Sequence, residues 1–272
     1  MNFRDKYGEY ALITGGNAGI GSEFASQIAQ KGLNLVLVAR RENLLEKKAI
    51  ELRKKYNIKV KTIRADLSKI EEIQKVVNAC DEIEVGLLIL NAGMETHGIF
   101  PKLDLDKEIM SINLNITSSM TLSHHFVNKM IPKRSGGIIF VSSLLGHMPT
   151  PYLSNYAGTK SYILNFGNSL NGEVKKFNID VTVLSPGPTK TPMAESMAKG
   201  FIVPLDKLPM TLHQPNFVAK VGLDALGKKP VVIPGIKNSM LGKIGSRMPT
   251  NMAIKSGAKM MEKFMNPEDL KL

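Results

Sequence analysis

The sequence has a single cysteine, Cys80, and no tryptophan. A lone thiol excludes an intramolecular disulfide and a cysteine-based metal cluster, and it fits a reducing cytoplasm. Long apolar runs are missing as well: no stretch approaches the ~18 uninterrupted apolar residues of a membrane span. The first ten residues carry no apolar run of the kind a secretory signal needs. There is no zinc-finger spacing, no RNA-recognition signature and no dense basic block, so nucleic acid is not expected as a partner. The net charge of +12 therefore points to a phosphate-bearing ligand, an anionic surface or simply solvated lysines. The five histidines are scattered; His124 and His125 are adjacent and so point to different sides of a helix, and no metal is expected. No Gly/Ser linker or internal repeat divides residues 1–272, which read as one domain.

What is present is a regular alternation. Short β-rich runs at 10–14, 34–39, 59–64, 86–91, 137–143, 180–185 and 231–234 alternate with helical patterns at 20–31, 42–56, 68–82, 104–129, 155–177 and 215–226. Leu35-Val36-Leu37-Val38 and Gly137-Ile138-Ile139-Phe140-Val141 are apolar at every position, as in parallel strands covered on both faces. This predicts an α/β fold: a doubly wound, Rossmann-like parallel sheet of about seven strands in the order 3-2-1-4-5-6-7, with helices on both faces. Residues 193–215 interrupt the rhythm with irregular, apolar sequence and are expected to form a substrate lid. Residues 237–272 continue as a Met- and Lys-rich helical extension.

Thr14-Gly15-Gly16-Asn17-Ala18-Gly19-Ile20-Gly21 follows the first strand and opens the first long helix. Glycines there permit a tight turn and close approach of a pyrophosphate, whose charge the helix N-terminus favours. Further motifs follow in order: Asp66-Leu67, Asn91-Ala92-Gly93, Asn113 within Ile112-Asn113-Leu114, Ser142-Ser143, Tyr156-Ala157-Gly158-Thr159-Lys160, and Ser185-Pro186-Gly187-Pro188-Thr189. The Gly-x-x-x-Gly-x-Gly spacing and this ordered set resemble the short-chain dehydrogenase/reductase family over residues 8 to about 235.

The resemblance implies a nicotinamide cofactor. It would be held by Gly15, Asn17, Gly19, Ile20 and Gly21 at the phosphates, by Asp66 and Leu67 at the adenine, and by Asn91, Ala92 and Gly93 beyond the fourth strand. Tyr156 and Lys160 would meet the nicotinamide ribose, and Pro186, Gly187 and Thr189 would flank the nicotinamide. It also implies a catalytic set. Tyr156 would exchange a proton with a carbonyl oxygen and Ser143, thirteen residues earlier, would bond the same oxygen. Asn113 would hold a water relaying protons from Lys160. Tyr156 and Lys160 lie one helical turn apart, so the ammonium is expected to lower the phenol's pKa from its usual value of about 10.

At position 39, where an acidic residue would bond both ribose hydroxyls of NAD, the chain has Ala39, followed by Arg40 and Arg41. A guanidinium can grip a 2′-phosphate through a planar fork, so NADP(H) is expected over NAD(H). Met94, Leu144, Leu145, Met148, Leu153, Met193, Met197 and Phe201 suggest an apolar wall. Such a wall suits an acyl-chain or hydroxysteroid-like ketone; within the family the resemblance is closest to 3-oxoacyl and hydroxysteroid reductases. A catalytically silent NADP(H)-binding sensor or scaffold is the alternative, and it would not need Ser143, Tyr156 and Lys160 together. The family resemblance also implies a homodimer or homotetramer.

From residue 199 onward, 12 basic and 5 acidic residues leave a surplus of +7. Met248, Met252, Met261, Phe264 and Met265 recur loosely at helical intervals among Lys255, Lys259 and Lys263. Packing within the protein or its oligomer is the favoured reading of this stretch. A peripheral membrane contact, the second reading, lacks the interfacial tryptophan that a bilayer surface favours.

Overall fold

The structure, a computed structural model, describes residues 3–270, leaving aside the side chains of Lys199 and Asp269. Seven strands form one sheet: β1 (Tyr10–Thr14), β2 (Asn34–Ala39), β3 (Val60–Arg64), β4 (Val85–Leu90), β5 (Gly136–Val141), β6 (Ile179–Leu184) and β7 (Val231–Val232). Every pairing is parallel and the order is β3-β2-β1-β4-β5-β6-β7, as the sequence pattern predicts. The helices begin with α1 (Phe3–Tyr7), α2 (Gly19–Gln30), α3 (Glu42–Tyr56), α4 (Ile70–Ala79), α5 (Leu105–Ile112) and α6 (Ser118–Met130). They continue with α7 (Ser154–Val174), α8 (Pro192–Met197), α9 (Pro215–Ala225), α10 (Ile236–Gly245) and α11 (Thr250–Phe264).

Period-two alternation along the strands divides two cores. Leu12, Val36, Leu88, Ile138 and Phe140 face one layer, in which Val76, Leu122, Phe126 and Ile163 pack from α4, α6 and α7. Ile13, Leu35, Leu37, Leu87 and Ile139 face the other, against Phe24, Ile28, Leu45, Leu52, Val218 and Leu223 of α2, α3 and α9. Both faces being covered explains why β2, β4 and β5 are buried along their whole length. The order reverses at β1, which lies between β2 and β4, and a crevice opens there at the carboxyl ends of the strands.

The continuous helix expected over 104–129 is broken in its hydrogen bonding. Between α5 and α6, residues Asn113–Thr117 form a π-helical turn. Such a turn inserts one residue and rotates the faces that follow. Across this turn Asn113 is half-buried and Asn115 is buried.

Candidate active site

The crevice holds a cleft of about 380 Å³, lined at one end by the β1–α2 turn and at the other by residues between 191 and 210 and by α11. At the turn, Gly15 has φ +67° and Gly19 φ +53°, left-handed values that disfavour a Cβ. Gly21 differs from these two: it does not line the cleft, and a Cβ on it would come within 2.2 Å of the Gly15 carbonyl oxygen, so its smallness lets α2 sit tight on the turn. Asn91 fixes the turn to β4, its Nδ2 donating to the Thr14 carbonyl at 3.0 Å, while Thr14 Oγ1 accepts from the amides of Asn91 and Ala92. The N-cap of α2, Ala18, offers no side-chain acceptor, so the first amides of the helix stay free for an anion. Beside them, Asn17 Nδ2 is buried without a hydrogen-bond partner. An orphaned donor next to free helix amides fits the phosphates of a dinucleotide.

Arg40 and Arg41 line the same end of the cleft. Arg40 Nη1 lies 3.8 Å from Asp66 Oδ2. Asp66 itself stands just outside the lining, where Ser68 donates to it from its backbone (3.1 Å) and hydroxyl (2.7 Å). Burial would raise this carboxyl, but the Ser68 bonds and the charges of Arg40 and Lys69 hold it below its usual range. Leu67, Asn91, Ala92, Gly93, Pro186, Gly187 and Thr189 all line the cleft, as does Ile20.

In the middle, α7 brings Tyr156 and Lys160 to the cleft, and the end of β5 brings Ser143. The neighbouring Ser142 also lines the cleft, and its hydroxyl donates to the Lys160 carbonyl at 2.7 Å, pinning β5 to α7. Lys160 is 5% exposed; its Nζ donates to the Val141 carbonyl at 3.0 Å and lies 5.7 Å from the Tyr156 ring centroid. Burial lowers the ammonium to about 8. Burial raises the Tyr156 phenol to about 12; a hydrogen bond with Ser143 acts in the opposite direction and the Glu95 charge reinforces the rise. This differs from the downward shift expected from Lys160. The removal of the phenol from water, reinforced by the Glu95 charge, raises it by more than the Ser143 hydrogen bond lowers it.

Asn113 is the other departure. Like Asn115 it is absent from the cleft lining, but it is half-buried and without a side-chain hydrogen bond among the described residues. Asn115, two residues on, is buried instead. Its Oδ1 accepts from the Met94 amide at 3.0 Å, and its Nδ2 donates to the Met94 carbonyl and to Thr159 Oγ1, both at 2.9 Å. A Cβ on Gly93 would sit 3.1 Å from Asn115 Oδ1 and 3.3 Å from Lys160 Nζ, so both groups converge on one point. Motif matching alone chose Asn113 because it cannot see the π-helical turn.

The apolar wall also differs in part. Leu144, Leu145, Leu153, Met193, Met197 and Phe201 line the cleft, whereas Met94 packs on the core and Met148 lies against Gly245. The sequence reading missed Met260, Met261 and Phe264 of α11. They reach the cleft because the extension folds back: the Ile202 amide donates to the Phe264 carbonyl at 2.7 Å, the Asn266 amide to Gly200 at 3.3 Å, and Phe201 bridges Met265. In α10, buried Asn238 clasps the Thr211 backbone from both sides at 2.8 and 2.9 Å. Glu95, also missed, lines the cleft, and its Oε2 is hydrogen-bonded with His97 Nδ1 at 3.1 Å. Its one visible signal was a carboxylate directly after Asn-Ala-Gly-Met.

The fold and this site define a dinucleotide-binding α/β protein with a Ser–Tyr–Lys group at its switch point. The model of the short chain dehydrogenase family matches residues 9–200, and the chain belongs to that family. It is 31% identical over 239 residues to a 7beta-hydroxysteroid dehydrogenase of Mediterraneibacter gnavus, covering 88% of this chain and 90% of that one. A very-long-chain 3-oxoacyl-CoA reductase of Mus musculus is 30% identical over 254 residues, or 92% and 78% of the two chains. Among solved structures, a 7beta-hydroxysteroid dehydrogenase superposes with a TM-score of 0.87 at 28% identity, covering 95% of this chain and all of that one. A short-chain dehydrogenase from Sphingobium yanoikuyae in complex with NADPH gives 0.76 at 26% identity, with coverage of 83% and 86%. The protein is thus an oxidoreductase of this family.

Proposed function

We propose that the protein is an NADP(H)-dependent reductase of apolar ketones, hydroxysteroid-like or 3-oxoacyl in type, acting reversibly on the corresponding secondary alcohols. The observation that carries this is the meeting of Ser143, Tyr156 and Lys160 between a phosphate-binding turn and an apolar wall. The cofactor, when bound, supplies the hydride. Tyr156 Oη gives its proton to the carbonyl oxygen, and a phenol near 12 keeps that proton available throughout the neutral range. Ser143 Oγ donates to the same oxygen and stabilises the charge that develops there. Lys160 would bond the nicotinamide ribose and offer a positive charge beside the phenol. Asn115 rather than Asn113 is the positioning asparagine of this proposal.

Arg40, with Asn17 and Arg41 beside it, would read the 2′-phosphate. Residues 193–215, tied to α11, would cover substrate and exclude water. The names of the relatives, a hydroxysteroid dehydrogenase and a long-chain acyl reductase, support an apolar substrate without choosing between the two. Homodimer or homotetramer formation is also part of the proposal, supported by exposed Leu105, Ile109, Ile112 and Met120 on α5 and α6 and the turn between them. A cytoplasmic setting accords with the buried free thiol of Cys80.

The decisive experiment is NADPH oxidation against a panel of oxosteroids, 3-oxoacyl thioesters and small polar ketones. Turnover is expected with the first or second group and is expected to fall below a tenth in Tyr156→Phe, with NADPH binding retained. Unimpaired turnover in that variant would remove Tyr156 from the mechanism; no turnover with any ketone would restore the silent sensor.

A further inference from the structure

The outer face of the C-terminal helical pair has an unusual composition. Along α10, Ile236, Met240 and Ile244 recur every fourth residue and are 83%, 58% and 53% exposed. Met252 extends the exposed apolar surface onto α11. A shallow groove lined by Lys243, Ile244, Arg247, Met248, Pro249 and Met252 makes the surface continuous across the turn between the helices. Between residues 236 and 261 the chain has five cations, Lys237, Lys243, Arg247, Lys255 and Lys259, and no carboxylate. All five are exposed, and none takes part in an ion pair among the described residues.

The opposite sides of the same helices are fully engaged. Asn238, Gly242 and Gly245 of α10 and Ala253, Gly257 and Met261 of α11 are buried. The intramolecular packing expected of this extension therefore occurs, and it leaves a second, outward face that the protein does not use.

We propose that this face docks on an anionic phospholipid membrane, with the Ile236–Met240–Ile244 stripe entering the headgroup boundary and the five cations meeting the lipid charges. Large aliphatic side chains standing in water beside cations outside any ion pair, with no carboxylate between residues 236 and 261, match an interfacial helix. The charge decides against a second copy of the chain. A two-fold contact would set the same patch against itself and bring like charges together. The stripe decides against nucleic acid, which offers such side chains no apolar counterpart. No helix among the described residues is long and apolar enough to cross a membrane, so the contact is peripheral.

The position of α11 gives docking a use, and this part rests on the ketone reductase reading above. Met252 lies on the docking face and Met260 on the cleft wall, eight residues apart, or about 12 Å along the helix. A lipid-dissolved ketone would thus enter near the helix that forms its binding wall.

The test is sedimentation of the full-length protein with sucrose-loaded vesicles, either phosphatidylcholine alone or phosphatidylcholine with phosphatidylglycerol. Binding is expected with the anionic vesicles, weakening as salt is raised, and near background with the neutral ones. Lys243→Glu/Arg247→Glu and, separately, Ile236→Ser/Ile244→Ser should each lower partitioning at least tenfold. Melting temperature, mass in solution and turnover of a water-soluble ketone should stay unchanged. Absent binding by the wild type, or equal partitioning of wild type and both variants, would overturn the proposal. A fall in oligomer size in the Ile236→Ser/Ile244→Ser variant would do the same and assign the face to a second copy. Vesicle binding is read without catalysis, so failure of the reductase reading would leave this result standing, and the reverse.

Discussion

Within the cleft, the titration of Tyr156 is set by burial and by two neighbours. Burial raises the phenol, the hydrogen bond with Ser143 lowers it, and the Glu95 charge raises it further. Ketone reduction needs the protonated phenol, so its rate should hold through neutral pH and fall only as pH climbs toward the phenol's own value. Alcohol oxidation needs the phenolate and should rise with pH. Glu95→Gln removes one upward contribution, so the alkaline limb of the oxidation profile should move to lower pH; a limb that stays in place would separate Glu95 from Tyr156. Arg40 belongs to the same scale. A hydrogen bond to a charged group is worth about 1.5–3 kcal/mol, or roughly 10- to 150-fold in affinity. Arg40→Ala should weaken NADPH within that range and leave NADH nearly unchanged, read by fluorescence titration of each cofactor. Equal losses would deny it the 2′-phosphate. Most of these positions were legible in the chain because backbone demands fix them: a left-handed turn at Gly15 and Gly19, a four-residue interval from Tyr156 to Lys160. Glu95 was not legible, since its meaning comes only from the tyrosine opposite it.

The π-helical turn at Asn113–Thr117 shows what an element can hide. In an unbroken helix, residues 113 and 115 point about 200° apart, so only one can face α7. The inserted residue turns 115 inward, where it holds both backbone groups of Met94 and the hydroxyl of Thr159. Asn115→Ala would leave a buried amide and carbonyl unpaired, at about 1–3 kcal/mol each. It should lower kcat for ketone reduction by at least tenfold and also reduce stability. Asn113→Ala should change neither by more than a small factor. Steady-state kinetics of the two variants decide the assignment; the opposite ranking would return the role to Asn113. Hydrophobic periodicity could not locate this turn. Leu114 and Ser118 lie four residues apart and are both buried across it, so the pattern reads as one helix.

At the scale of the molecule, the extension is part of the site. Met261 and Met265 are buried against Leu153, with Tyr156, Met197 and Phe201 packed around them. Burying two such side chains contributes roughly 3–6 kcal/mol. Truncation after Gly235 should therefore lower the melting temperature by on the order of 10 °C. It should also raise KM for an apolar ketone far more than for NADPH. A truncated protein with unaltered melting temperature and KM would show that the extension is dispensable. The sequence by itself determined the sheet, its strand order and the phosphate turn, because each follows from local periodicity or short spacings, and it pointed to Ser143, Tyr156 and Lys160 through the family resemblance. The tertiary structure alone decided that Asn115 and not Asn113 is buried against Met94 and Thr159, that burial raises the Tyr156 phenol, and that α11 lines the cleft. Those three outcomes depend on desolvation and on contacts between residues distant in the chain, such as Ile202 with Phe264, and no periodicity or spacing encodes either.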